Sequence, residues 1–289
     1  MIPPGAAIAG APARDATYAR FYRSAPQITD GAGARTWITR GANFVVTVTD
    51  AVPGTVLARQ ANADEYFVLL TPGAGAVIEA GGATVESAGD SLTIVPPGPS
   101  SMRVTGKGLV TRLFTSKATD LCAQASNAAS YADGAPEVAP IVPWPDPPGG
   151  FKLRHYELAD HLEPKSFGRL FRTTSLMINV FEPTSTPRDV KKLSPHSHDD
   201  FEQGSLALSG TFLHHLRTPW IPDMTGWRDD EHAEFASPSL LVIPAKLIHT
   251  TQYVGPEPSR FVDIFAPPRL DFSKKEGWVR NAAEYPMPK

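Results

Sequence analysis

The sequence predicts an all-β protein made of two similar units in tandem, and three observations predict it. Glycine (23) and proline (29) recur along the 289 residues and punctuate short stretches rich in Val, Ile, Phe and Thr, the pattern of many short strands joined by turns. Helical periodicity is weak throughout. Two stretches of the first half can also be laid over two stretches of the second.

Strands are expected in the first half at 36–39, 44–49, 66–70, 76–79, 92–95 and 109–114. In the second half they are expected at 176–181, 206–208, 211–216, 240–243 and 261–265. Residues 116–129 are the best helical candidate and fall between the halves. Residues 136–150 begin Pro-Glu-Val-Ala-Pro and end Pro-Pro-Gly-Gly, too proline-rich for a helix or a central strand. We read them as an extended linker, long enough to wrap its neighbour, which puts one unit at 1–135 and the other at 151–289.

The overlay of the halves rests on spacing. Glu65 lies eight residues before Gly73, and Glu202 lies eight before Gly210. Downstream, Ser91-Leu-Thr-Ile-Val-Pro and Ser239-Leu-Leu-Val-Ile-Pro each read as a strand ending at a proline turn. A duplicated all-β unit of about 110–140 residues accounts for both matches.

Composition narrows the function classes. Apolar residues make up 42% and charged residues 20%, the balance of a soluble globular protein. A net charge of -3 with scattered Lys and Arg offers no basic surface, so no nucleic-acid partner is expected. Cys122 is the single cysteine, which excludes an internal disulfide and a thiolate metal cluster. The N-terminus lacks a basic start and apolar core, and no apolar run approaches the roughly 20 residues of a membrane span. A cytoplasmic location and no membrane partner are the expectations.

The residues with chemistry cluster in Pro195-His-Ser-His-Asp-Asp-Phe-Glu-Gln-Gly-Ser-Leu-Ala-Leu-Ser-Gly210. Alternate side chains of an extended chain share a face, so His196 and His198 can both look into one interior. Gln203 or Glu202 can supply a third corner, and His249, after Ile243-Pro-Ala-Lys-Leu-Ile248, a fourth. Three neutral imidazoles with one oxygen donor suit a single divalent ion of Mn, Fe, Co, Ni or Zn. If Gln203 faces inward, so do Ser205, Ala207 and Ser209, while Leu206 and Leu208 pack outward; if Glu202 does, the leucines line the site. The positions matching His196, His198 and His249 in the first half are Arg59, Ala61 and Ser101, which predicts a metal-free first unit.

These residues carry a family resemblance. The stretch around His196, His198 and Gly210 resembles the first cupin motif, and Pro244 to His249 the second, with Lys246 where glycine is usual. Counting back from Gly210 as that motif requires lands on Gln203. The resemblance implies two cupin units, double-stranded β-helices of the jelly-roll type, in one chain. Phe261-Val-Asp-Ile-Phe-Ala-Pro-Pro-Arg-Leu-Asp-Phe272 resembles the small cupins of pectin and alginate breakdown, which open unsaturated uronates to keto acids. That likeness implies Asp263 as a polar or acid–base group beside the metal, Phe265 as a pocket wall and Arg269 as the holder of a substrate carboxylate.

The leading expectation is therefore a metal-dependent isomerase or lyase acting on a small carboxylated, sugar-like or keto-acid substrate. The alternatives are an Fe(II) dioxygenase cleaving a small aromatic or diketone, for which Trp220, Trp227 and Tyr253 offer flat surfaces, and a non-enzymatic two-unit protein with a structural metal. Trp220 and Trp227 are expected as a lid, a stacking platform or packing against the other unit. Of the consecutive His214 and His215, one should face in and one out, in structural roles. A homodimer is the expectation from the exposed sheet faces such units leave.

Overall fold

The computed structural model describes residues 13–163 and 168–288, and its described strands form four sheets with antiparallel ladders. The large first-half sheet runs in the order Arg154–Glu157, Ser91–Val95, Tyr66–Leu70, Gly108–Thr115, Phe44–Ala51, Arg35–Arg40, Ile28–Thr29. It packs on a smaller sheet ordered Val56–Arg59, Ser100–Val104, Ala76–Ala80, Ala83–Ser87. The second half repeats this arrangement. Its large sheet is Thr17–Ala19, Ser239–Ile243, Gln203–Ser209, Arg260–Phe265, Met177–Val180, Arg169–Arg172, and its small one Glu231–Phe235, Phe212–Arg217, Ile248–Tyr253.

Period-two alternation decides what each face buries. In the first half Val46, Val48, Phe67, Leu69, Leu92, Ile94 and Leu113 point away from the small sheet. Leu206, Leu208, Leu240, Val242, Val262 and Ile264 do the same in the second half, and the two sets form one continuous core where the large sheets face each other. The opposite faces look inward. Val45, Tyr66, Val68, Val95 and Phe114 meet Ile78 and Met102 of the first small sheet. Leu241 and Ile243 meet Leu216 and Leu247 in the second half.

The halves also exchange strands. Thr17–Ala19 pairs with Ser239–Ile243 in the second-half sheet, and Arg154–Glu157 pairs with Ser91–Val95 in the first. The proline-rich stretch is tied down as well. Ala139 N–H donates to the Asp200 carbonyl at 2.8 Å and Trp144 N–H to the Thr174 carbonyl at 2.7 Å. Val138 and Trp144 are buried.

The exchange is braced by two matching carboxylates. Glu202 is buried and accepts from Tyr131 Oη at 2.9 Å and from Ala42 N–H at 2.6 Å, both in the first half. Glu65 is buried and accepts from Tyr285 Oη at 2.5 Å, in the second half, with Arg154 Nη1 3.8 Å away. Burial pushes both carboxyls up to about 7. Gly41 is required beside Glu202, because a Cβ there would stand 2.6 Å from Oε2.

The expected helix at 116–129 shrinks to Thr119–Gln124 and a 3-10 turn at Ala128–Tyr131. No side chain caps the helix N-terminus, and a helix this short gains little without caps. Among the described residues no helix is long and apolar enough to cross a membrane.

Candidate metal centre

The strand Gln203–Ser209 lies between Ser239–Ile243 and Arg260–Phe265, which places Gln203 beside Ile243 and Phe265, and Ser205 beside Asp263. The segment carrying His196 and His198 runs antiparallel to the start of Ile248–Tyr253. His196 and His249 exchange backbone hydrogen bonds of 3.1 and 2.8 Å. Lys246 turns the chain into that strand with φ of 69°, and its N–H donates to the His198 carbonyl at 2.6 Å. The left-handed conformation explains why glycine suits this position best.

His196, His198 and His249 each bring one ring nitrogen to within 4.8 Å of the other two. Nδ1 of His196 donates to the Ser194 carbonyl and Nδ1 of His249 to the Leu247 carbonyl, both at 2.9 Å, which leaves each Nε2 free as a donor to a metal. Burial pulls His198 down to about 4 and His249 to about 3, so both are neutral near pH 7, the state in which imidazole binds a cation.

Gln203 completes the set. Its Oε1 lies 2.9 Å from His198 Nε2 and 3.4 Å from His249 Nε2. Its Nε2 donates to Asp263 Oδ1 at 2.9 Å and to Ser205 Oγ at 3.0 Å, and Ser205 Oγ donates to Asp263 Oδ1 at 3.0 Å. The amide is thereby oriented with its oxygen toward the imidazoles. Glu202, the other residue of suitable type, sits on the opposite strand face and is bonded to Tyr131 and Ala42, so it is a support between the halves rather than a donor here. His196, His198 and His249, with the Gln203 oxygen beside them, could together hold one divalent ion.

A cavity of about 340 Å³ opens beside these residues. His196, Gln203, His249 and Asp263 line it, with Arg188, Glu182 and the aromatic rings of Phe181, Phe212, Tyr253 and Phe261. Asp263 is partly buried at its wall, and desolvation pushes its carboxyl up to about 7. Arg188 is held by neutral oxygens only: its guanidinium donates to the Thr251 carbonyl and to Ser194 Oγ, both at 2.8 Å. Among the described residues no carboxylate pairs with it. The sequence reading missed Arg188, which lies in an irregular loop with no periodicity to mark its direction.

Two expected site residues fall elsewhere. Arg269 does not line the cavity. Its guanidinium stacks 3.5 Å from the Phe272 ring centroid and pairs with Asp271 at 2.6 Å, because the chain turns there into the short helix Leu270–Ser273. Phe265 is also outside the cavity lining. It meets the His198 ring edge-on at 6.0 Å, and Phe201 stacks on the same imidazole at 4.4 Å, so the aromatics fix the ligand from behind. Trp220 and Trp227 do not line the cavity. They stack on each other at 4.6 Å, 77% and 41% exposed. His214 is buried against Phe235 and bonded to Thr251 Oγ1, whereas His215 meets His232 on the outer face.

No family model matches the chain, and no curated protein matches it in sequence. Solved structures do. The protein Ylba from E. coli superposes with a TM-score of 0.56 at 14% identity, over 92% of this chain and 96% of that one. Oxalate decarboxylase from Bacillus subtilis gives 0.54 at 17%, over 89% and 77%. Lactobacillus farciminis oxalate decarboxylase in its formate complex gives 0.53 at 16%, over 90% and 88%. Likenesses at this identity establish that the chain shares the fold of these structures, and leave the reaction to the site.

Proposed function

We propose that the second half is a mononuclear metal enzyme, an isomerase or lyase acting on a small carboxylate such as a keto acid or sugar acid. One observation carries this reading. His196, His249 and the oriented Gln203 amide line a cavity, with His198 beside them, and that cavity also presents Arg188, with which no carboxylate of the described residues pairs, and the partly buried Asp263, its carboxyl raised to about 7.

His196, His198, His249 and Gln203 would hold the ion, whose chemistry is to polarise a substrate carbonyl or hydroxyl oxygen. Gln203 is neutral, so the ligands leave the cation's full charge uncompensated. Asp263 is the group that takes and returns a proton, held in place by Ser205 Oγ and the Gln203 amide. Arg188, already fixed by Ser194 and Thr251, takes the substrate carboxylate in the role expected of Arg269. Phe181, Phe212 and Phe261 exclude water from the substrate body.

A second reading, an Fe(II) dioxygenase for a flat substrate, is favoured by those aromatic walls and by Tyr253. One screen separates them. Metal-loaded protein is offered keto acids, unsaturated uronates, oxalate and small aromatics under air and under nitrogen. Turnover that persists under nitrogen and is lost in Asp263→Asn with metal retained supports the isomerase or lyase. Turnover that stops under nitrogen and consumes oxygen supports the dioxygenase.

A further inference from the structure

The first half carries a second polar centre at the same place in its sheets, with the opposite sign. Arg112 pairs with Thr47 and Val68 on the neighbouring strands, as Asp263 pairs with Asn179 and Ser205. Tyr66 takes the place of Gln203, each being the register partner of the last residue before the proline turn, Val95 or Ile243. The bridge between His196 and His249 has its counterpart in Arg59 opposite Ser100, so Ser100, one residue earlier than the sequence overlay gives, faces the interior.

Arg112 is 6% exposed, and its Nε and Nη1 have no hydrogen-bond partner. No carboxylate forms an ion pair with it among the described residues; Asp120, whose charge reaches it, is bound to Arg59. Thr47 Oγ1, on the adjacent strand, is likewise buried without a partner. Tyr66 Oη and Ser100 Oγ lie 2.9 Å apart. The guanidinium groups of Arg112 and Arg59 each stand 5.5 Å from the Phe114 ring centroid, on which Tyr66 stacks at 4.4 Å. Arg59 is neutralised by Asp120 through bonds of 2.5 and 2.9 Å. Burial keeps Tyr66 in its neutral form. Among the described residues Arg112 has no ion pair of its own, Asp120 being taken by Arg59, and a buried charge so placed is costly unless an anion answers it.

We propose that the interior of the first half binds one small monoanionic carboxylate on Arg112, with Thr47, Tyr66 and Ser100 as the remaining hydrogen-bonding groups. The surrounding Val45, Val68, Val95, Ile78 and Met102 are all buried, so a ligand there is confined to a few heavy atoms, the size of formate or acetate. The site is separate from the metal centre and does not depend on the reaction proposed for it.

The test uses the full-length protein, metal-loaded and EDTA-treated, in thermal melts and calorimetric titrations with sodium acetate or formate. Sodium pivalate at the same ionic strength, a monocarboxylate too bulky to enter, is the control. Acetate should raise the melting temperature of the wild type above that in pivalate with or without metal, with a Kd below about 1 mM. Arg112→Met should weaken binding at least 10-fold and abolish the shift, while Arg188→Met, which removes the cation of the other cavity, should retain it. Thr47→Val, which keeps every charge, should weaken binding about 5-fold and serves if Arg112→Met does not fold. Equal melting temperatures in acetate and pivalate, or a response kept in Arg112→Met or Thr47→Val and lost in Arg188→Met, would overturn the proposal.

Discussion

Glu65→Gln should change the pH dependence of stability by an amount the structure sets. Glu65 is fully enclosed, accepts from Tyr285 Oη at 2.5 Å, and has its carboxyl pushed from 4.5 to about 7 by burial. A carboxyl that binds its proton more tightly folded than unfolded contributes stability that is full below the unfolded pKa. That contribution is lost as pH rises through the folded pKa. Integrating from an unfolded 4.5 to a folded 7, the loss between pH 5 and pH 8 is roughly 2.5 kcal/mol. Glutamine keeps the acceptor for Tyr285 and removes the titration. Urea unfolding of EDTA-treated wild type and Glu65→Gln at pH 5, 6, 7 and 8 reads the difference directly. Glu202 titrates alike in both proteins and cancels. The variant should gain on the wild type by roughly 2.5 kcal/mol across that window, most of it between pH 5 and 7. Parallel stability curves, or a variant that loses ground as pH rises, would refute the assignment of Glu65 as a carboxyl stabilised in its protonated form.

Other outcomes follow from the same contacts. Gln203→Ala should weaken metal binding about 10- to 100-fold in a chelator competition, and Gln203→Glu should tighten it by adding a negative charge. Arg269→Ala should lower stability by about 1–2 kcal/mol in urea while leaving metal stoichiometry unchanged, because the side chain rests on Phe272 and Asp271 outside the cavity. Leu206→Ala should cost about 3 kcal/mol in the same assay, since the side chain is fully buried where the two large sheets meet.

Much of this architecture was legible in the sequence, and the parts that were not share a cause. Inner strands such as Tyr66–Leu70 are continuous apolar runs bounded by turn residues, so their limits could be read directly. Arg169–Arg172 was missed because two of its four residues are arginines, although all four are buried. Arg169 is satisfied there by the carbonyls of Leu158, Val180 and Phe181, which only the fold brings together. Outer strands such as Ala83–Ser87 and Glu231–Phe235 are half exposed and carry too few apolar residues to register. The exchange of Thr17–Ala19 and Arg154–Glu157 was invisible because pairing between distant segments leaves no local pattern.

The site divides the same way. His196, His198 and Gln203 are close in sequence, and motif spacing with alternation favoured Gln203 over Glu202, which the fold bonds to Tyr131 and Ala42 instead. Asp263 was placed beside the metal by resemblance, and it lines the cavity. Arg269 was placed by the same resemblance, and here Asp271 two residues on neutralises it. Arg188 had no motif to announce it, and its position follows from the bonds its guanidinium makes to Ser194 and Thr251.

The most direct measurement is the metal content of purified wild type and His249→Ala after supply with Mn, Fe, Co, Ni or Zn and removal of loosely bound ions. The geometry predicts one tightly held ion per chain in the wild type and a loss of at least tenfold in affinity in the variant, with the fold intact by circular dichroism. A wild type that retains no ion under any supply, or a variant that retains as much as the wild type, would contradict the assignment of His196, His198, His249 and Gln203 as a metal centre.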